Sequence, residues 1–187
     1  MRLFNANMPL KQSFFIDLFY NPVKIEAQDN QIDTWRKDPM KNIVIASDHG
    51  AVSLKKEIIS FLKTKGCTLN DMGVHNEDSV DYPNIAVAAC KEFNKGGYDF
   101  GILLCGTGIG MSIAANKIRG IRCAQIFDLY TARMAKEHNN ANFIALGGRI
   151  KYNVPVTEIV DTYMMTTFAN ERHTRRVSQI MDLDKIR

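Results

Sequence analysis

Long apolar runs are missing from this 187-residue chain. No stretch approaches the roughly 18 residues needed to cross a bilayer, which excludes a membrane-spanning helix. Dense Lys/Arg runs are missing too. The net charge of +4 is mild, and the excess lies wholly in residues 40–187, where 19 Lys/Arg face 15 Asp/Glu. A nucleic-acid face is therefore not expected, and an anionic small molecule is the better partner. Cysteine is scarce: Cys67, Cys90, Cys105 and Cys123 show no CxxC spacing and sit among apolar residues. That excludes a disulfide frame or a zinc site and points to reduced thiols in the cytoplasm.

Residues 1–39 lack an apolar core of secretory length, and their five acids argue against a mitochondrial presequence. They read as an N-terminal extension, poorly ordered or from a non-native start, before a domain covering 40–187. An arm that buries the aromatic patch from Phe14 to Tyr20 on another subunit is the lesser alternative.

From Met40 onward, apolar strands alternate with helical periodicity. Strands are expected at 42–46, 67–72, 99–104, 121–127 and 142–146. Helices are expected at 51–65, 83–93, 110–118, 129–137, 154–168 and 174–185. Five strands alternating with helices predict an α/β fold, a three-layer α/β/α sandwich around a parallel Rossmann-like sheet. In such sheets ligands bind beyond the carboxyl ends of the strands. Asp48 and His49, Cys105 to Gly110, Asp128, and Gly147 to Arg149 should thus share one edge.

The most informative stretch is Ile102–Asn116, ILLCGTGIGMSIAAN. An apolar strand ends at Cys105, a turn with three glycines follows, and a helix opens. This geometry aims backbone N–H groups at an anion and sets a thiol beside it. Taken alone, a cysteine ending an apolar strand is core filling, and Cys67, Cys90 and Cys123 keep that reading.

Four motifs occur in order: Ile45-Ala-Ser-Asp-His-Gly50, Leu104-Cys-Gly-Thr-Gly-Ile-Gly110, His138-Asn-Asn-Ala-Asn142 and Arg172-His-Thr-Arg-Arg176. Together they strongly resemble the type B ribose-5-phosphate isomerases and the related galactose-6-phosphate isomerase subunits, over roughly residues 40–185. The resemblance implies interconversion of D-ribose 5-phosphate and D-ribulose 5-phosphate through an enediolate, as in the pentose phosphate pathway, with no metal or organic cofactor. It implies Cys105 as the base, a thiol whose reference pKa of about 8.5 lies near enough to neutrality for neighbouring dipoles to supply thiolate. Thr107 matches a hydroxyl that assists the thiol or substrate. The N–H groups from Gly106 through Thr107, Gly108 and Ile109 to Gly110 would hold the oxyanion. His138 matches the ring-opening acid/base. Asn139 and Asp48 match sugar-hydroxyl contacts, and His49 and Arg149 further substrate and phosphate contacts. Arg172 and Arg176, at i and i+4, share a helical face suited to gripping phosphate. The family's sites are shared between subunits, which implies a homodimer or a dimer of dimers.

Other readings compete with parts of this one. A six-carbon sugar phosphate, galactose or allose 6-phosphate, would use the same chemistry. The turn partly fits an NAD-binding Rossmann fingerprint, with Asp128 as its acid, but Met111 stands where the third glycine belongs. A non-catalytic subunit would lack parts of the active set, and none is missing here. His138 could simply cap a helix. His75 reads as a surface residue, His173 as structural and off the arginine face, and Arg122 and Arg175 as solvated.

Overall fold

A computed structural model describes residues 41–76 and 78–186, so the expectations for residues 1–39 lie outside the described residues. Five strands form one sheet: β1 (Asn42–Ser47), β2 (Thr68–Gly73), β3 (Phe100–Cys105), β4 (Cys123–Gln125) and β5 (Phe143–Gly147). Their order is β2-β1-β3-β5-β4, and every pairing is parallel.

Burial follows from that order. All six residues of β3 and all five of β5 are buried, whereas no residue of the edge strand β2 is. Strands covered on both faces read as continuous apolar runs, and an edge strand does not. The other edge, β4, keeps only three residues of the expected seven. The amide of Asn116 runs alongside it: Oδ1 accepts from Cys123 N and Nδ2 donates to Cys123 O, both at 2.8 Å.

Five helices cover the sheet, α1 (Val52–Thr64), α2 (Tyr82–Phe93), α3 (Ile109–Ala115), α4 (Leu129–Glu137) and α5 (Val156–Met165), and a sixth, α6 (Arg172–Asp182), adds no residue to either core cluster. Helices α1, α4 and α5 pack Ile58, Leu62, Ala132, Ala135, Ile159 and Tyr163 against Ile43, Ile45, Ile102, Leu104, Ile144 and Leu146. On the opposite face α2 and α3 pack Ala86, Ala89, Cys90, Met111 and Ala115 against Val44, Leu103, Cys105, Phe143 and Ala145. The result is the expected α/β/α sandwich.

Local signals set the helix ends. Gly66, at φ +76°, closes α1, and its N–H donates to Lys63 O. Asp128 and Thr131 form a reciprocal capping box at the start of α4. Helix α5 is shorter than its periodicity suggests: Thr166 is extended and ends it. Helix α6 starts at Arg172, two residues early, after Asn170 and Glu171 turn the chain at φ +55° and +46°. Of its eleven residues only His173 is buried.

One buried cation escaped the apolar pattern. Lys55, in α1, is 1 % exposed; its Nζ lies 2.7 Å from Asp71 Oδ1 and donates to Met72 O and Val74 O. It ties α1 to the end of β2.

Candidate active site

Strand β2 lies on one side of β1 and β3 on the other, so the chain changes direction between β1 and β3. A crevice opens there beyond the carboxyl ends of the strands. Cys105 ends β3 at that crevice, 5 % exposed. The turn after it curls back, and the Gly108 N–H donates to Cys105 Sγ at 3.0 Å. A thiolate accepts such a bond more strongly than a thiol does. Gly108 adopts φ +80°, and a Cβ there would lie 3.0 Å from Leu146 C. Glycine is required on both counts.

Neighbouring loops hold the turn from three sides. Asp48 N–H donates to Leu104 O, and Asp48 Oδ1 accepts from Gly50 N at 2.8 Å. After β5, Gly148 N–H donates to Cys105 O at 2.8 Å and Arg149 N–H to Gly106 O at 3.0 Å. The Arg149 side chain passes beside Gly106. Gln125 Nε2 donates to Thr107 O at 2.8 Å. Thr107 Oγ1 accepts from Ile109 N, and the Tyr82 ring packs over Gly110. His49 Nδ1 accepts from Val80 N, so a neutral ring carries its proton on Nε2. His49, Gly50, Gly148 and Arg149 line a cleft of about 300 Å³, and of these Gly50 and Arg149 lie beside Gly106 of the turn. Asp48, His49, Arg149 and the residues from Cys105 to Gly110 thus share one edge, as expected.

Burial pushes Cys90 up to about 12 and raises Cys67 and Cys123 as well. Tyr152, bonded to Gly147 N at 2.8 Å, is also raised by burial, and the Cys105 charge adds to the effect.

His138, Asn139, Arg172 and Arg176 lie elsewhere. His138 closes α4, and the chain turns through Asn139–Asn142 into the first residue of β5. They therefore sit at the amino ends of the strands, one sheet length from Cys105, roughly 17 Å for six residues at ~3.3 Å per step. Helix α6 is tied to the same end, through Ala169 N to Glu137 O and Arg122 Nη1 to Met181 Sδ. One chain by itself does not bring the thiol and the ring-opening candidate together.

One reading needs correction. Arg122 is half-buried, not solvated: its Nε donates to Asn139 O, and Nε and Nη2 donate to Asn140 O, the latter at 2.7 Å. It holds the turn that carries His138. His173, read as structural and off the arginine face, is buried, and its ring stacks on that of His138. Gln125 also went unnoticed; only its place at the end of β4 hinted at the site edge.

The dinucleotide alternative loses its acid, because Asp128 Oδ1 accepts from Thr131 N at 2.7 Å and from its hydroxyl. Met111 is fully buried under α3. Among the described residues, no group of three or more His, Cys, Asp or Glu converges as metal ligands would. No described helix is long and apolar enough to cross a membrane.

A parallel sandwich with a thiol and a glycine turn at its switch point defines a small-anion enzyme of the α/β class. The chain belongs to the Ribose/Galactose Isomerase family, whose profile it matches over residues 43–180. Ribose-5-phosphate isomerase B of Clostridium thermocellum superposes with a TM-score of 0.75 at 45 % identity, over 78 % of this chain and 98 % of that one. The ribose 5-phosphate isomerase RpiB of Thermotoga maritima gives 0.73 at 46 %, over 76 % and 98 %. Galactose-6-phosphate isomerase subunit LacB of Clostridium acetobutylicum is 37 % identical over 147 residues, 76 % of this chain and 85 % of that one.

Proposed function

We propose that this chain is a cytoplasmic isomerase of D-ribose 5-phosphate and D-ribulose 5-phosphate, with Cys105 as its base. The observation that carries the reading is the Cys105 thiol, held by the Gly108 N–H at the switch point of a family fold. The Cys105 thiolate takes the proton from C2 of the open-chain aldose. The electron pair left behind forms the C1–C2 double bond of the enediolate, and charge develops on the C1 oxygen. N–H groups of the turn from Gly106 to Gly110 stabilise that oxygen; fixed in place, they need no reorganisation as charge forms. The thiol returns its proton to C1, a proton passes from O2 to O1, and the ketose results. Thr107 assists beside the thiol, Asp48 and Asn139 bind hydroxyls, and His49, Arg149, Arg172 and Arg176 engage substrate and phosphate. His138 opens the furanose ring, giving a proton to the ring oxygen and taking one from the 1-hydroxyl.

A second copy of the chain completes the site in this reading, each subunit bringing its His138, Asn139, Arg172 and Arg176 to its partner's Cys105. Support comes from the opposed edges and from uncovered apolar side chains at both. Ile109, Ile113, Phe127 and Tyr130 are exposed near the thiol edge, and Ile180, Leu183 and Ile186 on and after α6. Two unlike patches on one chain can pair reciprocally across a two-fold axis.

The test is turnover of ribose 5-phosphate against allose and galactose 6-phosphates by the wild type and Cys105→Ser. Ribose 5-phosphate is expected to be preferred, and the serine variant to lose about 10²–10⁴-fold. Preference for a six-carbon phosphate would move the chain toward the galactose branch with its mechanism intact. Full activity in the serine variant would remove Cys105 as the base.

A further inference from the structure

At the amino edge, one buried titratable side chain stands against a site residue without a role so far. The His173 and His138 rings are stacked, their centroids 4.2 Å apart and their planes 10° apart. His138 is 37 % exposed, but His173 only 6 %. The inner ring therefore cannot turn freely, and the outer one lies on it. The backbone under His173 is fixed as well, its N–H donating to Asn170 O at 2.9 Å beside the turn at Asn170 and Glu171.

The second contact of His173 points to the phosphate clamp. Arg172 Nε donates to His173 Nε2 at 3.4 Å, so that nitrogen is an acceptor and the ring is neutral. Burial, then the charges of His138, Arg172 and Arg176, push its pKa down, against a smaller opposing effect of Glu137. Glu137 Oε1 also lies 3.6 Å from His138 Nε2, and Arg133 reaches the same carboxylate at 4.0 Å. A neutral aromatic face suits a group that takes up a proton during the reaction, because a cation over a π-face is stabilised.

We propose that His173 is a positioning residue for His138, holding that imidazole in one plane and linking it through Nε2 to Arg172. The inference rests on the reading of His138 as the ring-opening group. Its consequence is selective. A ketopentose 5-phosphate has no free 5-hydroxyl and cannot close a five-membered ring, so it arrives as an open chain. The aldose arrives as a furanose. Loss of alignment at His138 should therefore slow the aldose direction and largely spare the ketose direction.

The experiment compares His173→Phe, His173→Leu and His138→Ala, each assayed in both directions. Leucine fills the space without a stacking plane; its kcat with the aldose should fall by about tenfold or more, within what a misplaced group costs. Phenylalanine keeps the plane and loses the acceptor, so kcat should recover while KM rises through Arg172. In NMR spectra the His138 Cε1–H should be shifted upfield by the stacked ring in the wild type and the phenylalanine variant, and move downfield with leucine. Wild-type aldose turnover in the leucine variant, equal losses in both directions, or no rescue by phenylalanine would overturn the inference. A direction-selective loss in His138→Ala alone would sink it and leave the His138 reading standing. Equal losses in His138→Ala would sink that reading instead.

Discussion

Gly108 combines a positive φ with a wall of backbone. An alanine there meets both the left-handed penalty, about 1–2 kcal/mol, and the Leu146 main chain. Relief requires the turn to move, and the turn carries the N–H bonded to Cys105 Sγ. Gly108→Ala should therefore lower the melting temperature modestly and kcat far more than that destabilisation explains. Activity falling only in step with stability would separate the N–H from the chemistry. His173 yields a pH prediction. Its folded pKa lies below its ordinary 6.5, so the unfolded chain binds the extra proton first. The associated stability is whole above about pH 6.5 and is lost as pH falls through the lowered value. Melting temperatures measured from pH 8 to pH 5 should decline on the acid side, and less so in His173→Phe.

At the scale of elements, apolar period and turn residues reveal β1 to β5 and α1 to α6, because local propensity and tertiary burial agree in them. Where they disagree, the ends move. Strand β4 shrinks because its flanks leave the ladder, and α5 stops at Thr166 although the apolar pattern runs on. Lys55 is the clearest miss, since a lysine in an amphipathic helix normally marks the wet face. Its three oxygen partners come from β2 and the loop beyond, at separations that helical spacing cannot show. Lys55→Met should cost about 2 kcal/mol, because Met72 O and Val74 O lose their donor. Urea denaturation checks this; a neutral result would mean that water replaces the ammonium.

For the whole molecule, the sequence motifs reveal which residues to group but not the edge on which each group falls. Order along the chain puts His138 only 33 positions after Cys105, and topology sends it to the far side of the sheet. The shared-site reading turns this into a complementation experiment. Assayed with the aldose, where both single variants are expected to fail, Cys105→Ala and His138→Ala should regain up to about a quarter of wild-type activity after random mixing into dimers, since half the dimers are hybrids with one intact site of two. Verified subunit exchange without recovery would place both groups in a site of one chain. Association through helix faces is also what the Asn116 amide leaves possible. By occupying the outward N–H and C=O of Cys123, it stands where the main chain of a sixth strand would dock. A strand docking at that margin would first have to displace the Asn116 amide, which disfavours growth of the sheet beyond β4.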